Sequence, residues 1–307
     1  MSLVVSNLTK RYGEKEVVSH ISFTMERPGV YAFLGTNGAG KTTSMRMMLG
    51  MLAKDEGEVL WKGEPLDPLK TDVGYLAEER GLYPKYTLMD QLIYFAKLKN
   101  VSAEDARKRI NYWAERLEVT EYLYPKTETG KRAKPMKAEQ LSKGNQQKIQ
   151  LMAALISDPE LIVLDEPLSG LDPVNADLFK SIIREQISEN KYLVMSSHQM
   201  EVIEEFCEDI TILHHGKAVL QGNLNEIKKS YGRVNVMVKC ERDISDIVNR
   251  LGIQIVSESP DGYQLRVSGD AQAEELLAEL VAEKITVVRF EMREPSLHEI
   301  FVEKARD

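Results

Sequence analysis

The sequence predicts an α/β core that is interrupted by a helical segment and followed by a small α+β domain. Short apolar runs at 30–34, 161–167 and 191–198 have the character of buried parallel strands. Between the first two runs, at about 86–155, apolar residues recur at helical spacing, and Ser102 with Asp105 forms a helix-start pattern. From these boundaries we expect a first domain at 1–225 and a second at 226–307.

The composition excludes several classes of protein. The chain has 307 residues, of which 43% are hydrophobic and 29% charged, as in a folded globular protein. No apolar run approaches the ~18–20 residues that cross a bilayer, and the first residues lack the pattern of a signal peptide. Cys207 and Cys240 are too few for a disulfide framework. We therefore expect a reducing, cytoplasmic setting.

The distribution of charge argues against a nucleic-acid partner. The formal net charge is −8, which is unfavourable for a broad surface that binds phosphate backbones. One basic stretch, "KTETGKRAKPMK" at 126–137, has five Lys and Arg residues and one Glu. We expect it to be a solvated loop, and contact with a partner is the alternative.

The first strand leads into a glycine-rich segment that opens a helix. The pattern G-x-x-x-x-G-K-[ST] is matched by Gly35, Gly40, Lys41 and Thr42. Glycines alone also mark ordinary turns, but a loop between strand and helix can turn its N–H groups towards a phosphate. Lys41 can reach the terminal phosphates, and the Thr42 hydroxyl can bind Mg²⁺. The predicted nucleotide-binding segment comprises Gly35, Thr36, Asn37, Gly38, Ala39, Gly40, Lys41, Thr42 and Thr43.

Polar residues also end the two later strands. Asp165 follows "LIVL" and is predicted to hold Mg²⁺. Glu166, the next residue, can deprotonate an attacking water. His198 ends the run "KYLVMSSH". Adjacent acids can form a solvated turn and a lone histidine is often structural, but ligands bind at the carboxyl ends of parallel strands. We therefore predict Lys41, Glu166 and His198 as catalytic residues.

Together these motifs resemble those of the ATP-binding subunit of an ATP-binding cassette (ABC) transporter over roughly residues 1–225. "GTNGAGKT" resembles the Walker A loop and "LIVLDE" the Walker B strand. "LSKGN" is similar to the signature loop, "SGLD" to the D-loop and "SSH" to the H-loop. Tyr12 lies where this family stacks an aromatic ring on adenine. The order of the motifs along the chain is that of the family.

This resemblance implies a head-to-tail dimer, of identical or paralogous subunits, with two ATP molecules and Mg²⁺ at the interface. Ser142 and Gly144 of one subunit would contact the γ-phosphate that Lys41 of the other subunit holds. Asp172 would shape the opposing site. The partner implied is a multi-span membrane permease, so the chain would lie peripherally on the inner face of the membrane.

Two positions depart from the family pattern. Glu78 stands where a glutamine beside Mg²⁺ and the attacking water is usual. A carboxylate can still ligate Mg²⁺, so Glu78 is kept as a metal-site and catalytic residue. Lys143 and Asn145 replace a glycine and a glutamine of the signature, whereas Ser142 and Gly144 are retained.

The segments "EERGLYPK" and "EMREPSLHEIF" resemble bacterial exporter ATPases of the sodium-extrusion and antibiotic-resistance type. In the family the region matching 78–95 receives a short helix of the permease, and the candidate contact residues there are Leu82, Tyr83, Pro84 and Tyr86. The alternative is that Leu82 and Tyr83 pack inward beneath the helical segment. Two alternatives are a non-transport ABC protein acting on ribosomes or DNA and a nucleotide-sensing regulator. The single cassette and the acidic charge count against the first, and Glu166 with His198 against the second.

The end of the chain has none of these motifs. Its strand and helix patterns follow the order βαββαβ, which predicts a ferredoxin-like domain. Residues Ala273, Leu276, Leu277, Leu280 and Val281 are predicted to share one helical face. Since this fold hosts many functions, we expect an accessory or regulatory domain without chemistry of its own.

Overall fold

The computed structural model describes residues 2–68, 70–79, 81–131, 133–232 and 234–304. The chain divides into two compact units, with the break between Gln221 and Gly222. Arg80 of the segment 78–95, Arg132 of the basic stretch and residues 305–307 lie outside the described residues.

A ten-stranded sheet is the centre of the first unit. Its strands are β1 (Leu3–Tyr12), β2 (Lys15–Met25), β3 (Gly29–Leu34), β4 (Glu56–Trp61), β5 (Glu64–Pro65), β6 (Val73–Leu76), β7 (Leu161–Asp165), β8 (Tyr192–Ser197), β9 (Asp209–His214) and β10 (Lys217–Asn223). The helices are α1 (Lys41–Met48), α2 (Leu88–Leu98), α3 (Ala103–Arg116), α4 (Thr120–Leu123), α5 (Lys143–Leu155), α6 (Pro173–Ser188) and α7 (Met200–Phe206), with a 3₁₀ turn at Ala138–Gln140.

The order of the strands brings the predicted motifs together. The sheet runs β5-β4-β1-β2-β10-β9-β3-β8-β7-β6, and β3, β8, β7 and β6 are mutually parallel neighbours. Leu34 pairs with Ser197 and Asp165 with Ser196, so these three strands end at the same level. The glycine-rich loop, the two acids and His198 therefore lie along one edge of the sheet.

Burial explains why these strands form. Every residue of β7 and β8 is buried, and both strands are rich in Leu, Ile and Val. Met45, Met48 and Leu49 of α1 and its C-cap pack into the same core, as their spacing predicts. Each fully buried side chain of this size contributes about 1.5–3 kcal/mol. The polar strand ends are thus held by an apolar layer beneath them.

The segment between β6 and β7 is helical, as predicted. Ser102 begins α3, and its hydroxyl accepts a hydrogen bond from Asp105 N at 3.1 Å. Thr87 begins α2 in the same way through Asp90 N, at 3.2 Å. In the basic stretch, Lys126, Lys131 and Lys134 are exposed.

The second unit has the predicted βαββαβ order, so the ferredoxin-like prediction is confirmed. Its elements are α8 (Leu224–Tyr231), β11 (Asn235–Cys240), α9 (Ser245–Arg250), β12 (Gln254–Ser259), β13 (Gly262–Arg266), α10 (Asp270–Ala282), β14 (Val287–Arg293) and α11 (Leu297–Lys304). The sheet order is β12-β13-β11-β14, and each neighbouring pair is antiparallel.

The buried face of α10 is narrower than predicted. Ala273, Leu276 and Leu280 are fully buried, whereas Leu277 is 36% exposed and Val281 64% exposed. A helix resting on one face of a four-stranded sheet buries a stripe at i, i+3 and i+7, and the positions beside that stripe face outward. The prediction for Leu277 and Val281 was wrong for this reason.

Candidate active site

The glycine-rich loop joins β3 to α1 in a form that demands glycine at two positions. A Cβ on Gly35 would lie 2.5 Å from the carbonyl oxygen of Leu213. Gly40 has a φ of 107°, in a region that L side chains rarely adopt. Ser44 N bonds to Gly40 O at 2.9 Å and opens the helix. The loop thus places the free N–H groups of a helix start beside Lys41.

Lys41 is buried within this loop. Its Nζ donates to the carbonyl oxygen of Gly35 at 2.7 Å and lies 3.1 Å from Glu166 Oε1. The side chains of Lys41 and Glu166 are only 6% and 5% exposed. A buried ammonium is stable only with close partners of opposite charge or polarity, and here a carboxylate and a carbonyl supply them.

Asp165 lies at the end of β7 and is fixed by two hydroxyls. Its Oδ1 accepts from Ser196 Oγ at 2.6 Å and from Thr42 Oγ1 at 3.1 Å. Its Oδ2 is buried and has no hydrogen-bond partner among the described residues. Burial raises the pKa of Asp165, and the hydrogen bonds from Ser196 and Thr42 oppose that shift. An unpartnered carboxylate oxygen beside a threonine hydroxyl is a pair of oxygens that suits a hard cation.

Glu166 follows in a left-handed backbone conformation, with a φ of 49°. Its Oε2 lies 2.9 Å from His198 Nδ1, and its backbone N–H donates to Ser196 Oγ at 2.9 Å. Non-glycine residues adopt such conformations at a cost, and they concentrate at functional sites. The turn brings Glu166 between Lys41 and His198.

These groups open into a cleft of about 440 Å³. It is lined by Tyr12, Val17, Asn37, Gly38, Ala39, Gly40, Lys41, Thr42, Thr43, Glu78 and Glu166. Tyr12 is 57% exposed, so one ring face is free to receive a flat ligand. Glu78 is exposed and also borders a neighbouring cleft of about 630 Å³, together with Lys143 and Glu166.

Several predicted site residues are not among the described residues that line the glycine-rich cleft: Gly35, Thr36, Asp165, His198, Ser142, Gly144 and Asp172. The first four belong to the strand ends and loop beside the cleft, whereas the last three belong to the starts of α5 and α6. Ser142 caps α5 by accepting from Asn145 N at 3.3 Å, and Asp172 caps α6 by accepting from Asn175 N at 3.0 Å. The Asn175 N–H holds the pKa of Asp172 below its ordinary value.

The contacts of two residues at the site have no counterpart in the sequence predictions. Ser196 joins Asp165 and Glu166, and Gln147 Nε2 donates to Pro167 O at 2.8 Å from α5. The signal for Ser196 is a hydroxyl in a buried strand, two residues before the predicted His198. No spacing marks Gln147, because its contact depends on how α5 packs against the loop after β7.

None of the helices in the described part of the chain is both long and apolar enough to cross a membrane.

Comparison with known proteins agrees with this geometry. Residues 18–169 match the family described as "ABC transporter", and residues 222–305 match "ATP-binding protein DrrA1-3-like, C-terminal domain". The chain is 41% identical to the uncharacterized ABC transporter ATP-binding protein YhaQ of Bacillus subtilis, over 98% of each chain. It is 33% identical to the Nod factor export ATP-binding protein I of Burkholderia orbicola, over 70% of this chain and 69% of that protein. The identity to the linearmycin resistance ATP-binding protein LnrL of Bacillus subtilis is 27%, over 98% and 97%.

Solved structures show the same fold. One described as the structure of the ATP binding subunit of an ABC transporter superposes with a TM-score of 0.66 and 25% identity, over 75% of this chain and 93% of that one.

The fold and the cleft define a nucleotide-binding ATPase. The chain belongs to the family of ABC transporter ATP-binding proteins, whose members hydrolyse ATP and work with membrane permease subunits. The family resemblance inferred from the motifs is confirmed, and a resistance ATP-binding protein is among the relatives of the chain.

Replacing Lys41 tests the role of the buried ammonium. Lys41→Ala removes the positive charge of the loop. It also leaves the buried carboxylate of Glu166 without its counter-charge, and this carboxylate then repels the phosphates. We expect ATP affinity to fall more than about tenfold, which corresponds to ~1.4 kcal/mol. Titration with a fluorescent ATP analogue measures this, and the exposed Lys126→Ala is the control. Wild-type affinity in Lys41→Ala would show that the phosphates bind elsewhere.

Proposed function

We propose that the chain is the motor subunit of an exporter and works as a head-to-tail dimer on the inner face of the membrane. The observation that carries the proposal is the separation of two half-sites. Lys41 and Glu166 line one cleft, and Asp165 accepts a hydrogen bond from Thr42 of the same lining. The helix start at Ser142 is not among the described lining residues and is exposed. Export is supported by the relatives whose names specify Nod factor export and linearmycin resistance.

In this proposal each ATP lies between two subunits. Tyr12 stacks on adenine, and residues 35–43 hold the phosphates. Ser142 and Gly144 of the second subunit then contact the γ-phosphate through the start of α5. A helix N-terminus is favourable for an anion. Gly144 has no side chain, so nothing at that position obstructs an approaching phosphate. Asp172, at the start of α6, shapes the opposing site.

The residues present fit Mg²⁺, which is the second part of the proposal. Asp165 Oδ2 is buried and unpartnered among the described residues, and Thr42 Oγ1 lies beside the same carboxylate. The described residues contain no group of three His, Cys, Asp or Glu side chains that could hold a metal. Thr42, Asp165 and Glu78 would therefore share the ion with phosphate oxygens. When bound, the ion neutralises charge on the phosphates.

Hydrolysis follows from the pairing of Lys41 and Glu166. An incoming γ-phosphate competes for the Lys41 ammonium, and the carboxylate of Glu166 is then released from its ion pair. Glu166 Oε1 can accept a proton from the attacking water, while His198 Nδ1 keeps Oε2 in place at 2.9 Å. Nucleotide binding itself thus activates the base. Glu78 supports the water and the metal from the mouth of the cleft.

The segment 78–95 is proposed to bind the permease. Tyr83, Tyr86 and Tyr94 are 49%, 64% and 48% exposed, and they line a groove of about 430 Å³ with Asp90 and Gln91. Leu82 is only 7% exposed and packs inward, so it is not an interface anchor. Exposed aromatic side chains around a groove are typical of protein interfaces. Glu78 connects this segment to the ATP cleft.

Replacing the proposed base tests the dimer and the chemistry together. Glu166→Gln keeps the size of the side chain but cannot accept a proton, so hydrolysis should fall ~10²–10⁴-fold. ATP binding should persist, and the variant should sediment as a dimer with ATP and as a monomer without it. The exposed Glu201→Gln is the control. If Glu166→Gln stays monomeric with ATP and hydrolyses it at the normal rate, neither the ATP-bound dimer nor Glu166 as the base is correct.

Replacing Tyr83 tests the permease surface. Tyr83→Ala should weaken co-purification with the permease and transport, and it should leave ATP hydrolysis by the isolated subunit nearly unchanged. Tyr112→Ala, at a tyrosine of α3 with 52% exposure, is the matched control. Full assembly and transport in Tyr83→Ala would move the interface away from this groove.

A further inference from the structure

Ser196 lies within β8 and touches both acids at the end of β7. It is fully buried, between Met195 and Ser197. Its hydroxyl donates to Asp165 Oδ1 at 2.6 Å and accepts from the backbone N–H of Glu166 at 2.9 Å. The Ser196 hydroxyl is therefore hydrogen-bonded to two consecutive residues, Asp165 at the end of β7 and Glu166 directly after it.

The contact with Asp165 selects which carboxylate oxygen remains free. Oδ1 accepts from both Ser196 and Thr42, whereas Oδ2 is buried without a partner among the described residues. A carboxylate with one oxygen occupied by two donors has little rotational freedom. The remaining oxygen is consequently fixed in direction before any cation arrives.

The contact with Glu166 stabilises an unfavourable backbone conformation. Glu166 has a φ of 49°, and a left-handed non-glycine residue persists only when its surroundings hold it. Ser196 gives the buried N–H of this residue its acceptor, and a buried N–H without an acceptor is costly. The same turn sets the direction of the side chain that reaches Lys41 and His198.

We propose that Ser196 is a positioning residue for ATP hydrolysis, which orients the free oxygen of Asp165 for Mg²⁺ and the carboxylate of Glu166 for water. The inference rests on the proposed metal and base roles of those two acids. Ser196 is fully buried and is not among the described residues that line the cleft. Its effect on the reaction passes through the carboxylate of Asp165 and the backbone of Glu166, which one hydroxyl holds.

The test compares Ser196→Ala and Ser196→Thr in the full chain. We expect Ser196→Ala to lower kcat by about tenfold or more with a smaller change in KM. The gain in affinity for a fluorescent ATP analogue on adding Mg²⁺ should shrink, and affinity in EDTA should stay at the wild-type value. Ser196→Thr keeps the hydroxyl in a strand position that suits a β-branched residue, so it should restore both quantities.

Two further variants separate the possible failures. Thr211→Val removes another fully buried strand hydroxyl, which bonds to Tyr31 OH at 2.5 Å, and it should lower the melting temperature without altering the Mg²⁺ gain. Asp165→Asn should abolish that gain; if it does not, the proposed metal site is wrong. If Asp165→Asn abolishes the gain while Ser196→Ala leaves the gain and kcat intact, only the role of Ser196 is overturned. If Ser196→Ala and Thr211→Val lower kcat and the Mg²⁺ gain to the same extent, the role of Ser196 is also overturned.

Discussion

The buried ion pair between Lys41 and Glu166 is the interaction on which the rest of the site depends. Two charges that are almost fully removed from water are stable only when each has close partners. Lys41 has the carbonyl of Gly35 and Glu166 has His198, so the pair is supported on both sides. In the proposed function, a phosphate takes the place of the carboxylate beside the ammonium. The same contact would then hold Glu166 before ATP binds and become the anion site afterwards.

The sheet makes this arrangement possible. Because β3, β8 and β7 are parallel neighbours, the residues that follow them meet at one edge. The buried strands hold these ends rigidly, and the helix that starts at Lys41 adds its N–H groups. By contrast, the start of α5 is built on the helical segment and lies outside the cleft. In the proposed function, a second subunit supplies the start of its own α5 to complete the site.

The sequence was informative where the chemistry is local. The segment from Gly35 to Thr42 combines strand, loop and helix within a few residues, and Asp165 and Glu166 follow an apolar run directly. The contacts of Ser196 depend instead on β7 and β8 being neighbours, which no local pattern specifies. The antiparallel strands β1, β2 and β4 were not predicted. The pairing of β1 with β4 joins Leu3 to Trp61, far apart in the chain, whereas β1 and β2 form a local hairpin that the sequence analysis missed. On α10, the width of the buried stripe was set by the sheet beneath the helix.

The second unit has its own core and is described by a family of its own. Val236, Val238, Leu265 and Leu276 are buried within it, and this core contains none of the nucleotide motifs. A ferredoxin-like fold does not define a ligand, and its contribution to the transporter is a separate question from ATP hydrolysis.

The most direct test of a site shared between subunits is ATP hydrolysis by a mixture of two inactive variants. Lys41→Ala damages the phosphate loop, and Ser142→Arg blocks the start of α5 with a bulky side chain. In a mixed dimer, both defects fall in one site and the other site is intact. The account predicts that mixing restores hydrolysis well above the sum of the two variants alone. A mixture no more active than that sum would show that each chain builds its ATP site alone.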